Sequence, residues 1–139
     1  MNDMKLDNFR LLVNDFPASF HFWHEIIGLN VIYADNTGTY AYLQAGSSRI
    51  ELLKADYFAS SIGSAKPAPI QEGYRGVIVF RVDDVDAAYA DLVERGVPPL
   101  AKPQQERAGF ARTAHLLAPD GYVLEVFQTI TPMPEQSTD

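Results

Sequence analysis

The sequence predicts an α+β protein assembled from two copies of one strand–helix–strands module. Residues 6–29 (LDNFRLLVNDFPASFHFWHEIIGL) and 75–97 (RGVIVFRVDDVDAAYADLVERGV) each read as an alternating apolar strand, an acidic turn, an amphipathic helix and a glycine stop. Placing Asp15 on Asp84 also brings Val13 onto Val82, Ala18 onto Ala87, Phe20 onto Tyr89 and Glu25 onto Glu94. Each copy then runs through turn-punctuated strands to a glutamate inside an apolar strand, Glu51 in RIELL and Glu125 in YVLEVF. Paired modules in a short chain imply one domain over residues 1–139, with any chemistry expected where the two halves share a concave centre. Module 1 spans about 5–55, a linker about 56–73, module 2 about 74–128 and a tail 129–139.

The first strand, Asn8 to Val13, alternates Phe9, Leu11 and Val13 with Asn8, Arg10 and Leu12. The first set belongs under a helix and the second on the opposite face. Asp15 caps that helix, Pro17 suits its first turn, and Phe20, Trp23 and Ile27 form its buried stripe before Gly28. His21 and His24 have a chelating spacing but no third ligand on their face, so solvated or capping histidines are the preferred reading. Parity next puts Tyr40, Tyr42 and Gln44 opposite Ala41, Leu43 and Ala45, and Arg49, Glu51 and Leu53 opposite Ile50 and Leu52.

Residues 55–74 (ADYFASSIGSAKPAPIQEGY) carry serine, glycine and proline without a sustained period. They read as a linker or lid, in which Tyr57, Phe58 and Ile70 supply apolar contacts for a cavity or a partner subunit, or simply as a surface crossover. In the second copy Ile78, Phe80 and Val82 face the helix, and Val77, Val79 and Arg81 face away. Asp84 caps the helix, Ala87, Ala88 and Leu92 form its buried stripe, and Gly96 ends it. Ala114 and Leu116 turn toward the helix and leave Thr113, His115 and Leu117 on the other side; Leu124 and Val126 likewise leave Val123, Glu125 and Phe127. Residues 131–139 (TPMPEQSTD) read as a frayed tail.

Bulk composition narrows the function. With 139 residues, 47% of them apolar, the chain can bury a sizeable core. Its 11 basic and 18 acidic residues give a net charge of −7, which disfavours nucleic-acid phosphates and suits neutral or cationic partners. Without cysteine there are no disulfides, thiolate metal sites or Cys nucleophiles. No apolar run approaches the roughly 20 residues of a membrane span, so a soluble cytoplasmic protein without membrane partners is expected.

With VNDF…FWHEIIGL, RVDDVDAAYADLVERGV and APDGYVLEVF at matching places over residues 6–128, the chain resembles the glyoxalase, bleomycin-resistance and extradiol-dioxygenase superfamily, the vicinal oxygen chelate proteins. The resemblance implies two βαβββ modules whose eight strands form a curled mixed sheet around a cleft, usually in a homodimer, with modules exchanged between subunits in some members. It leaves function broad, because that superfamily spans lyases, dioxygenases, epimerases and drug-binding proteins. Metal-dependent members place ligands at positions that correspond to Asn8, Glu51, Val77 and Glu125. Both carboxylates match, but the two usual imidazole positions hold a weak neutral donor and a valine, so no metal is expected.

Cleft-face parity makes His115 and Glu125 the candidate catalytic pair for proton transfer, with Glu51 beside them as a further ligand for a metal. Asn8, Arg10, Tyr40, Tyr42, Arg49, Glu51, Arg81, His115, Glu125 and Phe127 are the candidate ligand-binding residues. If Arg10, Arg49 and Arg81 pair with the two glutamates, the site is instead an ion-pair network. Two functions stay open: a cofactor-free binder of a small aromatic or cationic molecule, like the bleomycin-resistance branch in antibiotic resistance; or a lyase or dioxygenase using a divalent metal in an altered ligand set. An interaction module with a collapsed cleft is a third.

Overall fold

The computed structural model describes residues 4–63, 73–106 and 109–131. The chain divides into two compact units at residues 72 and 73. In the first, β1 (Phe9–Val13) leads into α1 (Phe16–Phe20), which continues as a π-helical segment (His21–Ile26). Strands β2 (Asn30–Ala34), β3 (Tyr40–Ala45) and β4 (Ser48–Lys54) follow, and α2 (Ala55–Ser61) closes the unit. The sheet order is β1-β4-β3-β2, with β1 parallel to β4 and the other pairs antiparallel.

The second unit repeats the plan with β5 (Gly76–Arg81), α3 (Val85–Glu94), β6 (Pro99–Glu106), β7 (Ala111–Leu117) and β8 (Tyr122–Thr129). Its order is β5-β8-β7-β6, again with one parallel pair, β5 and β8. Each βαβββ module is therefore present. Their hydrogen-bonded ladders give eight strands in two four-stranded mixed sheets among the described residues, the α+β arrangement that the resemblance implied.

Local chemistry explains the elements. The Asp15 carboxylate accepts from the Ala18 amide at 3.1 Å and the Asp84 carboxylate from the Ala87 amide at 3.1 Å, so each helix starts on its aspartate. Gly28 and Gly96 take φ of +89° and +92°, a backbone region that glycine enters without strain, and the chain turns there into β2 and β6. Strand parity holds except at Phe9, which starts edge strand β1 and is 59% exposed: Leu11, Val13, Ala41, Leu43, Ile50 and Leu52 are buried in the first unit. Ala114, Leu116, Leu124 and Val126 are buried in the second.

Four expectations need correction. The first helix buries Phe16, Ser19, Phe22 and Trp23, whereas Phe20 and Ile27 are only half-buried. The helix then takes a π turn over His21–Ile26, marked by the Ile27 amide bonding the Phe22 carbonyl at 2.9 Å. On α3 the buried residues are Val85 and Leu92, with Ala88 half-buried and Ala87 exposed, since the cap turns Val85 inward. The start of the presumed linker is helical, because Ala55 and Ala59 lie one turn apart and are both buried; Ile70 lies outside the described residues. Finally, β8 runs through Thr129, and the Ile130 and Thr131 amides bond the Phe110 carbonyl; the rest of the tail lies outside the described residues.

Candidate functional site

In the first unit, β1 and β4 run in parallel with Arg10 directly opposite Glu51, and β3 places Tyr42 opposite Glu51 and Tyr40 opposite Leu53. All five side chains share the face away from the buried stripe. The Arg10 Nε–H donates to Glu51 Oε1 at 2.9 Å, and the Tyr40 hydroxyl donates to Glu51 Oε2. Glu51 is thus buried with both oxygens engaged, as burial of a carboxylate requires. Burial and the hydrogen bond to Glu51 hold the Tyr40 phenol well above the ordinary tyrosine range, so it stays a neutral donor. Arg49 takes a separate partner: its Nη1 donates to the Tyr42 hydroxyl at 3.1 Å, and its guanidinium sits 5.5 Å from that ring's centroid.

Beside this network lies a cavity of about 600 Å³. The sheet contributes Arg10, Tyr40 and Leu53, and α2 with its C-terminal turn contributes Tyr57, Phe58, Ser61 and Ile62. The β2–β3 turn adds Asp35, Thr37 and Thr39. Asp35 Oδ1 accepts from the Thr39 and Tyr40 amides at 3.1 and 3.2 Å, and Oδ2 accepts from the Thr37 hydroxyl at 2.8 Å. Partial desolvation raises the Asp35 carboxyl, but the bonds from Thr39, Thr37 and Tyr40 outweigh it and leave the group below the ordinary carboxylate range.

In the second unit His115 stands opposite Glu125 across the β7–β8 ladder, and Val79 stands opposite Glu125 across β5–β8. His115 Nε2 lies 2.8 Å from Glu125 Oε1. Glu125 is buried and the imidazole partly exposed, so the carboxylate orients the ring. The Arg81 guanidinium lies 5.9 Å from the Phe127 ring centroid. Thr113, on the same face, is buried, and its hydroxyl has no partner among the described residues. The arginines therefore behave individually: Arg10 pairs with a glutamate, whereas Arg49 and Arg81 associate with aromatic rings.

A catalytic metal at the positions implied by resemblance finds poor donors. Val77 has no donor atom, and the Asn8 amide donates to Asp7 at 2.6 Å. Both Glu51 oxygens carry protein hydrogen bonds, and Glu125 Oε1 faces His115. These residues do not fit that metal site. Nor do His21 and His24 gather a ligand set among the described residues: His21 is exposed, and His24 Nδ1 lies 2.8 Å from the Leu29 carbonyl just past the helix end.

Strand parity put Arg10, Tyr40 and Glu51 on one face, where they meet, and the linker-or-lid reading offered Tyr57 and Phe58 as contacts for a cavity or a partner subunit, beside a plain surface crossover. The sequence reading missed Asp35, Thr37, Thr39, Leu53, Ser61 and Ile62 as cavity residues. The signal available for the first three was the turn sequence DNTGT at 35–39, where an aspartate side chain closes the loop and Gly38 takes φ of +73°.

The profile of the glyoxalase/bleomycin resistance protein/dioxygenase superfamily matches residues 5–126. The chain belongs to that superfamily. It is similar to the uncharacterized protein YraH of Bacillus subtilis, with 36% identity over 128 residues that cover 91% of this chain and 100% of the relative. Among solved structures, a glyoxalase/bleomycin resistance protein/dioxygenase from Nocardioides superposes with a TM-score of 0.81 at 19% identity, covering 99% of this chain and 91% of the other. Lactoylglutathione lyase from Agrobacterium tumefaciens superposes with a TM-score of 0.69 at 16% identity, covering 92% of this chain and 96% of the other. At such identities these superpositions establish the fold of this superfamily member, and no helix among its described residues is long and apolar enough to cross a membrane.

Proposed function

We propose that this superfamily member is a metal-independent binder of a small aromatic molecule, and that the first-unit cavity is the site. The carrying observation is the cavity itself: its volume of about 600 Å³ lies within the roughly 300–1,000 Å³ of small-molecule sites. Tyr40, Tyr57, Phe58, Leu53 and Ile62 give it apolar and aromatic walls, with a few fixed polar groups between them. Glu51 supports the reading, because its two oxygens are spent on Arg10 and Tyr40 and stiffen the cavity wall. The biological role consistent with this is sequestration, as in drug resistance, by a cytoplasmic homodimer. Support for self-association is the apolar surface left open on the edge strands, with Phe9, Val77 and Val79 each about half exposed or more.

The test is equilibrium dialysis of the full chain against a panel of small aromatic compounds. Binding at one molecule per chain, weakened roughly tenfold by Tyr40→Phe or Tyr57→Ala, is expected. Saturable binding that both variants leave unchanged removes the cavity from the account. A second reading rests on the His115–Glu125 pair: an enzyme that recruits these side chains, with Glu51, to a divalent metal. Elemental analysis after incubation with zinc, nickel, manganese or iron separates the two. Stoichiometric metal that disappears in Glu125→Ala would replace the binder by the enzyme.

A further inference from the structure

Two charged side chains line the first-unit cavity, Arg10 and Asp35, and they differ in how their charge is met. Arg10 is held by Glu51 at 2.9 Å, so that pair presents no net charge to a ligand. Asp35 accepts hydrogen bonds from the Thr37 hydroxyl and from the Thr39 and Tyr40 amides, all neutral donors, and no cation contacts it among the described residues. These bonds hold the group in place, and because every donor is neutral they leave its negative charge unneutralised. Among the described residues of the cavity wall, Asp35 carries the charge that no ion pair meets. The hydrogen bonds also keep Asp35 ionised at neutral pH.

We propose that the cavity selects an aromatic monocation, whose positive group sits against Asp35 and whose ring lies between Tyr40, Tyr57 and Phe58. This rests on the cavity being the binding site, and it adds the charge of the ligand. Three rings around the same space add attraction between the cation and their π faces. An aromatic anion is the disfavoured alternative. It would meet an arginine already paired with Glu51, a carboxylate that no cation neutralises among the described residues and a chain of net charge −7.

Fluorescence titrations of the full chain with three probes test this: thioflavin T as a planar cation, N-phenyl-1-naphthylamine as a neutral aromatic and 1-anilinonaphthalene-8-sulfonate as an anion. Asp35→Asn is the informative variant, because an amide oxygen can still accept from Thr39 and Tyr40 while the charge is gone. Thioflavin T is expected to bind more tightly than the sulfonate, and Asp35→Asn is expected to weaken it roughly tenfold without moving the neutral probe. In the unsubstituted protein, added salt should weaken the cation and leave the neutral probe unchanged, so a variant that fails to fold does not remove the test. Equal thioflavin T affinity in Asp35→Asn, an absent salt effect or preference for the sulfonate overturns the charge assignment while neutral binding still stands. If no probe binds, or if Tyr57→Ala leaves the neutral probe unaffected, the cavity assignment falls together with it.

Discussion

Glu125 faces His115 directly across the β7–β8 ladder, with Oε1 and Nε2 2.8 Å apart, whereas the corresponding Glu51 faces Arg10 across β1–β4. The two modules therefore meet equivalent buried carboxylates differently: Glu51 takes Arg10 from β1 and the Tyr40 hydroxyl from β3, whereas Glu125 takes His115 from β7. In the second module the β5 position opposite the glutamate is Val79, which has no charge to offer, so the β7 histidine supplies the contact. His115→Ala removes a bond to a buried carboxylate and should lower unfolding free energy by roughly 1–3 kcal/mol. Urea denaturation checks this, and a midpoint unchanged from the parent would show that the pair adds nothing to stability.

Arg10 and Glu51 should be strongly non-additive. Arg10→Met strands a carboxylate of which only 8% of the side-chain surface is exposed, while Glu51→Gln leaves a largely solvated guanidinium, 46% exposed. The single Arg10 change is expected to be the costlier. Arg10→Met combined with Glu51→Gln should recover roughly 1–2 kcal/mol of the summed single losses. A double-mutant cycle by chemical denaturation measures the coupling; additive losses would mean that the bond is energetically silent.

Much of this arrangement was legible because strand parity is local. The alternation in Arg49–Leu53 and in Tyr40–Gln44 assigns faces without knowledge of any partner, and Glu51, Tyr40 and Arg10 meet as that alternation requires. The helices were harder. The HFWHEI segment adopts a π turn, which has no signature in a 3.6-residue pattern, and Phe22 rather than Phe20 belongs to the buried stripe. Helix α2 is only seven residues long and has no side-chain cap, too short for periodicity to separate it from a loop. Asp35 escaped notice because its role depends on where the β2–β3 turn lands beside α2, a tertiary relationship absent from the turn's own sequence.

Tyr40 should leave a mark on alkaline stability. Its folded-state phenol lies above the ordinary value of 10.0, through burial first and then its bond to Glu51. A raised folded value means that the contribution is complete below the unfolded value and is lost as pH climbs through the folded one. Tyr40→Phe should therefore melt lower than the parent near neutral pH, with the gap closing on the alkaline side. Phenolate absorbance gives an independent reading, since one tyrosine should ionise only beyond the others. Coincident ionisation of all tyrosines in the folded protein would contradict the Tyr40–Glu51 bond.

The acid limb should report the contact between α3 and β7. The Arg112 guanidinium grips Asp86 with a two-pronged bond, Nε at 2.7 Å and Nη2 at 2.8 Å, and chiefly through it holds the carboxyl below the ordinary 3.8. A depressed folded value means that the contribution is present above the unfolded value and disappears as pH falls through the folded one. Arg112→Met should thus be less stable than the parent near neutral pH and converge with it in acid. Melting curves from about pH 7 to pH 2 test the sign, and a constant difference across that window would assign the loss to packing of the arginine stem.

Thr113 carries the opposite expectation. Its side chain is buried on β7 opposite Phe127, and its hydroxyl finds no acceptor or donor among the described residues. A buried hydroxyl without a partner costs roughly 1–3 kcal/mol, and valine has nearly the same shape without that polar atom. Thr113→Val should therefore match or exceed the parent in stability, by up to about 1 kcal/mol. Thermal and urea unfolding give the comparison. A loss greater than about 1 kcal/mol would instead show that the hydroxyl is bonded in solution, and would draw Thr113 into the polar face it shares with His115 and Glu125.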